Sequence, residues 1–372
     1  MINFQTLTTQ ISTSLQPIVD KIKKQQRISD EEALILFNEA SLSLLGMLAN
    51  EIRERKHGNK TYFNKNIHIE PTNICVFDCK FCAYSRKLSK KLEAWEFTQE
   101  EMIQQILDHE DQEITEVHIV GGVHPKMGLD YFVSLITEVK KVKPNLHVKA
   151  FTAVELEYMC RKARVSYKEG LQILKKAGQG SLPGGGAEIF DREIRDKICK
   201  DKCTSKQWLE IHETAHSIGM PSNATVLYGH YESPEVLIDH LSRLRSLQDK
   251  TNGFNAFIPL KFRNGNNQMS NIKEVSVITD LKIFAFSRIY LDNFPHLKAY
   301  WPMIGKKTAQ NLLAFGVNDI DGTIHDTTKI YSMAGAEDQN PTMNTNEIIE
   351  LINSVGRKAV ERDTVYNILK EH

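Results

Sequence analysis

Three of the six cysteines stand within the octet CVFDCKFC, as Cys75, Cys79 and Cys82. Thiols at this density bind metals or carry redox chemistry. A structural zinc site commonly takes four protein ligands, but the next cysteine along the chain is Cys160. His118 or His124 would have to supply the fourth ligand from a distance. An iron–sulfur cluster held by three thiolates instead leaves one iron open to a substrate or cofactor. Spacing favours the cluster, with zinc and ordinary thiols as the other two readings. Cys160, Cys199 and Cys203 read as ordinary thiols.

The elements that must position this octet follow from apolar periodicity. A β-like run ends in IHIEPTN just before it, so the cysteines sit in a loop beyond a strand's C-terminal end, where α/β proteins build their sites. Strands are expected at Glu116–Val120, at His147–Phe151, through SNATVLYGH and through GFNAFIPL, with weaker candidates in KAYWPM and VNDIDGT. Helices are expected around LDYFVSLITEVKKV, in YKEGLQILKKAG and KQWLEIHETAHSIG, in ESPEVLIDHLSRLRSLQDK and over Ile278–Leu291. This alternation predicts an α/β fold, a parallel (β/α) TIM-type barrel spanning 61–335. A helical extension over 1–60 includes a helix from Ser29 to Arg55, capped by Ser29 with Glu32. Over 336–372, a C-terminal helix and tail is expected to cap the barrel's mouth.

Composition narrows the partners. The 372 residues carry 47 Lys plus Arg against 47 Asp plus Glu, which speaks against a nucleic-acid groove or polybasic membrane patch and for small molecules. MINFQTLTTQ lacks a secretory pattern, and no apolar run approaches the ~18 residues of a membrane span. A cytoplasmic protein is expected.

Cys75-x3-Cys79-x-Phe81-Cys82 resembles the signature of radical S-adenosylmethionine enzymes. The motifs IEPTNICVFDCKFCAYSR, IVGGVHP, SLPGGGAEIF, SNATVLYGH, GFNAFIPLKF, AGAEDQNPTM and RDTVY resemble the branch holding the futalosine-pathway menaquinone enzymes and the deazaflavin synthases. PGGGAEIF, LYGH and FIPLKF are most similar to the aminofutalosine synthases. The resemblance implies a [4Fe–4S] cluster on Cys75, Cys79 and Cys82, S-adenosylmethionine as co-substrate, and a reducing donor such as flavodoxin or ferredoxin. The implied substrate is an aryl enol-ether dicarboxylate, 3-[(1-carboxyvinyl)oxy]benzoate. The 5′-deoxyadenosyl radical would add to it, with rearrangement and decarboxylation to 6-amino-6-deoxyfutalosine. Alternatives are the cyclic dehypoxanthine futalosine synthase, a deazaflavin synthase subunit, and more distantly a zinc-stabilised ligand-binding barrel.

Site residues follow from the same motifs. Phe81 and Tyr84 are expected near the adenosyl group, and Gly121 and Gly122 near the methionyl amino group, although GGV replaces the commoner GGE. Glu155, Asn223 and Thr225 complete the expected cofactor set. Gly184, Gly185 and Gly186 weaken any regular element and are expected to approach substrate, with Glu188 opening a helix behind them. His124, Tyr228 and His230 are polar substrate candidates. Arg86, Lys261 and Arg263 are the cations that a dianion in a dry site requires. Asp319 and Asp321 are expected at the mouth of a late strand.

Overall fold

The chain is described by a computed structural model covering residues 11–89, 93–109, 112–325 and 327–372. Its strands run from two to eight residues. They are β1 (Lys60–Phe63), β2 (Asn66–Ile69), β3 (Glu116–Ile119), β4 (His147–Ala150), β5 (Gln179–Ser181), β6 (Ser222–Tyr228), β7 (Phe254–Lys261), β8 (His296–Ala299) and β9 (Asp319–Ile320). Two-residue strands β10 (Ile324–His325) and β11 (Thr342–Met343) pair antiparallel to each other. The chain ends in β12 (Lys358–Arg362) and β13 (Ile368–Glu371).

One parallel sheet runs β2-β3-β4-β5; another contains β6-β7-β8-β9 in that order. A parallel bridge from Leu182 to Ser222 joins β5 to β6. At the other seam, the Thr323 amide donates to the Asn64 carbonyl (3.2 Å), and the Thr323 hydroxyl donates to the Asn66 carbonyl (3.1 Å). Gly322 is required there, because a Cβ would lie 2.0 Å from the Asn64 carbonyl oxygen. The result is a parallel sheet core, rolled into a partial barrel and flanked by helices.

Helices follow the strands where the sequence predicts them. Ser29 and Glu32 form the expected reciprocal cap, and Thr152 with Glu155 and Ser166 with Glu169 form two more that the sequence reading did not assign. The expected helix from Ser29 to Arg55 is two helices, Asp30–Glu39 and Leu42–His57. Ala40 turns extended and Ser41 caps the second by accepting from the Leu44 amide. WPM forms a helical turn, Trp301–Ile304, after β8 instead of continuing it. Helix Arg192–Cys199 starts beyond Glu188, whose backbone is left-handed (φ 49°), with Asp191 as the cap.

The C-terminal segment differs most from expectation. Helix Thr345–Asn353 leads into the antiparallel ribbon β12-β13, and β12 pairs in parallel with β1. β1 precedes β2, so the ribbon lies at the end of the wall opposite the cysteine loop. Arg362 donates to Asp319 at the start of β9 (2.7 Å), and the Tyr366 hydroxyl donates to the same carboxylate. The tail therefore closes the bottom of the barrel, not its mouth, because Asp319 at full burial demands cationic and hydroxyl partners.

Candidate active site

The cysteine loop leaves β2 and is tied down by backbone bonds on several sides. The Cys75 amide donates to Arg86 (2.9 Å), Gly122 to Thr72 (2.7 Å), and Lys80 to Ile198 (2.9 Å). A Cβ on Gly122 would lie 2.3 Å from the Ile74 carbonyl oxygen, and one on Gly121 2.8 Å from that of Thr72. Both glycines are thus demanded by the approach of the cysteine loop to the end of β3. The Gly121 amide points to the Glu155 carboxylate at 3.3 Å.

Two thiols already receive amide donors: Val123 N–H to Cys75 Sγ and Ser85 N–H to Cys82 Sγ, each at 3.4 Å. Burial pushes the Cys75 and Cys79 thiols up, while Lys202 opposes that rise at both. Bare thiolates are therefore costly here, and a bound metal would supply the missing positive charge. Among the described residues, no three His, Cys, Asp or Glu side chains are grouped to hold a single metal ion. The trio instead surrounds a recess of about 130 Å³, together with Gly121, Gly122, Thr152, Glu155 and Lys202. The three thiols thus share one recess with room for a bound group. Neither expected fourth ligand reaches it: His124 lies 3.0 Å from Glu96, and His118 packs on His68 with ring centroids 4.8 Å apart.

The recess opens into a larger cavity of about 280 Å³, sharing Cys82, Tyr84, Gly121, Thr152, Gly186 and Lys202 with it. Phe81, Asn223, Thr225, Gly184, Gly185, Glu188, Lys261 and Arg263 also line this cavity. The strand register of β6 is now fixed: Asn223, Thr225 and Leu227 face inward, while Tyr228 faces away and donates to Asp280 (2.8 Å). Thr225 donates to the Gly184 carbonyl (2.6 Å), and a Cβ on Gly184 would strike the backbone of Asn223 and Ala224. The glycine run is explained first by its packing on β6 and on the helix after β4.

Four expected substrate residues lie outside both cavities. Arg86 clamps the cysteine loop, donating to Glu93 (2.7 Å) and to the Ala83 carbonyl (2.8 Å). His124 faces Glu96, and Tyr228 is turned outward. His230 is held by the Leu227 carbonyl (3.0 Å) and Glu232. Of the two late aspartates, Asp321 lines the cavity and Asp319 lies at the bottom.

Lys202 is the functional candidate that sequence reasoning missed. It contacts Glu188 at 2.6 Å, sits 5.0 Å from the Phe81 ring centroid, and borders recess and cavity alike. Burial opposes its charge, yet Cys79, Glu188 and Cys199 hold its pKa well above the ordinary lysine value. In CKDKC it reads as a solvated residue. Lys149 and Lys298 were also missed, although a lysine inside a short apolar strand is a legible signal. Glu155 caps its helix while accepting from Thr152 N (2.7 Å), and burial pushes it up to about 7.

The parallel α/β wall carries three cysteines at one strand end, and comparison with known proteins gives the class. The Radical SAM superfamily model matches residues 69–244, and that of the CofH/MqnC C-terminal region matches 251–371. The chain is 42% identical to the aminodeoxyfutalosine synthase of Thermus thermophilus, over 95% of each chain. The Streptomyces coelicolor aminodeoxyfutalosine synthase is 36% identical (95% and 93% covered), and that organism's cyclic dehypoxanthine futalosine synthase 34% (96% and 90%). In fold it is similar to the hydrogenase maturase HydG of Carboxydothermus hydrogenoformans, with a TM-score of 0.75 at 18% identity, covering 95% and 80% of the two chains. The chain belongs to the radical S-adenosylmethionine enzymes, within their futalosine/deazaflavin family. Membership implies an iron–sulfur, S-adenosylmethionine-dependent reaction and removes the zinc-stabilised binding barrel. No helix among the described residues is long and apolar enough to cross a membrane.

Proposed function

We propose that this chain is an aminodeoxyfutalosine synthase. It would join the 5′-deoxyadenosyl group of S-adenosylmethionine to 3-[(1-carboxyvinyl)oxy]benzoate, with rearrangement and decarboxylation to 6-amino-6-deoxyfutalosine. The carrying observation is the likeness along nearly the whole chain to aminodeoxyfutalosine synthases. Beside the cysteine recess, five cationic side chains (Lys149, Lys202, Lys261, Arg263 and Lys298) line the cavity; each is paired with a carboxylate and keeps further donors for an acidic substrate.

Cys75, Cys79 and Cys82 would hold a [4Fe–4S] cluster in the recess. When bound and reduced by a flavodoxin- or ferredoxin-type donor, the cluster supplies the electron that releases the deoxyadenosyl radical from S-adenosylmethionine. The chain's own residues bind, orient and enclose. Tyr84 borders both recess and cavity, its hydroxyl fixed on the Thr72 carbonyl (3.0 Å), and Phe81 lines the cavity beside it. Asn223 and Thr225 present polar groups from β6, and the parallel wall, read as a closed TIM-type barrel, keeps water from the reacting atoms. Radical addition needs no strong general base, in keeping with a site rich in cations.

The cyclic dehypoxanthine futalosine synthase is the second reading, favoured by the 34% identity and the matched C-terminal region. Anaerobically reconstituted protein with S-adenosylmethionine, reductant and the enolpyruvyl benzoate decides between them. The expected product is adenosylated and decarboxylated, formed with one methionine per turnover. Free 5′-deoxyadenosine without that product overturns the synthase reading.

A further inference from the structure

The inward rows of the barrel place a charged floor far from the cysteines. His68, His118 and Lys149 pair in register across β2, β3 and β4, and all three line the cavity. Lys298 on β8 joins them, with its ammonium 2.9 Å from Asp321. Beneath this row Glu116 takes Lys149 at 2.5 Å, and Asp319 lies 3.8 Å from Lys298 while Arg362 holds it from below. The fixed charges of Lys149, Lys298 and Arg362 thus balance those of Glu116, Asp319 and Asp321. An arriving anion meets no net negative charge.

The rim cations are directed elsewhere. Lys261 reaches Asp280 (2.8 Å), which lies behind the wall and also takes the Tyr228 hydroxyl. Arg263 is divided between Glu274 (3.2 Å) and the Gly335 carbonyl (3.0 Å). Lys298 differs, because its partner Asp321 is itself part of the cavity surface. An ammonium carries three donors, and Asp321 engages one of them. In the same cavity wall, His118 Nε2 is buried without a hydrogen-bond partner, an orphan that a ligand oxygen can satisfy.

We infer that Lys298, supported by Asp321 and flanked by Lys149 and His118, seats the ring carboxylate of the substrate and selects for an aryl diacid. This rests on the aryl enol-ether reading above. The recess meets the cavity at Cys82, Gly121 and Lys202, and none of the floor residues borders the recess. A substrate whose alkene faces the recess therefore extends its far end to the floor, with Ile258 and Leu260 alongside the ring. In a meta-substituted aryl ether the far end is the ring carboxylate.

Isothermal titration of the reconstituted holoenzyme tests this with three stable probes. These are 3-(carboxymethoxy)benzoate, phenoxyacetate lacking the ring carboxylate, and 3-methoxybenzoate lacking the side-chain carboxylate. Wild type is expected to bind the diacid more tightly than phenoxyacetate. Lys298→Met should weaken the diacid and 3-methoxybenzoate by about 10- to 100-fold, the loss of a buried charged hydrogen bond, and leave phenoxyacetate unchanged. Lys298→Arg should retain most of the preference. Lys298→Met combined with Asp321→Asn removes both charges together, so the same loss is expected without a stranded carboxylate. A folded variant that still prefers the diacid over phenoxyacetate by the wild-type ratio overturns the inference. Wild type binding none of the three aryl acids overturns the substrate reading itself, and the inference with it.

Discussion

Gly122 shows how one missing methyl group shapes the cluster loop. The Ile74 carbonyl occupies the space a side chain would need, and a backbone atom cannot swing aside. Gly122→Ala is therefore expected to displace Cys75 and lower the iron retained after reconstitution, measured by iron analysis and visible absorbance. Gly128→Ala is the control, since nothing lies within 4 Å of its Cβ position, and it should retain iron as wild type does. Lys202 makes the complementary point for charge. Removing it by Lys202→Met strands Glu188 in a buried setting and should cost about 3–5 kcal/mol in urea unfolding. Adding Glu188→Gln is expected to restore most of that stability, because the uncompensated carboxylate is then gone. A double variant as unstable as the single one would contradict the pairing.

At the scale of elements, the C-terminal ribbon behaves as a plug. Arg362 is 1% exposed and Asp319 fully buried, so each helps neutralise the other, with Lys298 and the Tyr366 hydroxyl also facing Asp319. Arg362→Met should destabilise the fold by roughly 3–5 kcal/mol. S-adenosylmethionine cleavage per folded molecule should persist, since the ribbon joins the end of the wall opposite the cysteines. Loss of cleavage in a protein of unchanged stability would reverse that assignment. The sequence reading of a tail over the mouth failed at this level. Helix and strand patterns were visible, but a pattern carries no information about which end of a barrel an element meets.

Across the whole molecule, buried histidines set an acid limit. Burial depresses His57 and His216 to about 4 and His240 to about 3, with the Thr225 carbonyl only partly opposing the effect at His240. The unfolded chain takes up protons near the ordinary value of 6.5, where the folded chain does not. Stability is therefore fully present above about pH 6.5 and lost as the pH falls toward 4. Thermal midpoints recorded from pH 7 to 4 should decline, and His240→Gln should make the decline shallower. A flat profile would show that these histidines are protonated in the folded state.

The cysteine octet, the helix caps and most of the strand–helix alternation were determined by the sequence alone. Each depends on neighbours in the chain: thiol spacing, a serine three residues before a glutamate, apolar residues at helical or alternating period. The inward face of β6 was not legible in that way, because one residue of register exchanges Thr225 for Tyr228. Nor was the fate of the cations. Arg86 was expected on the substrate and proved to clamp the loop, while Lys202 drew no notice and proved to share the recess with Cys79. Local sequence names the groups that can ionise; only the packed structure decides which are left facing the cavity, because burial and partner distance set the cost of each charge.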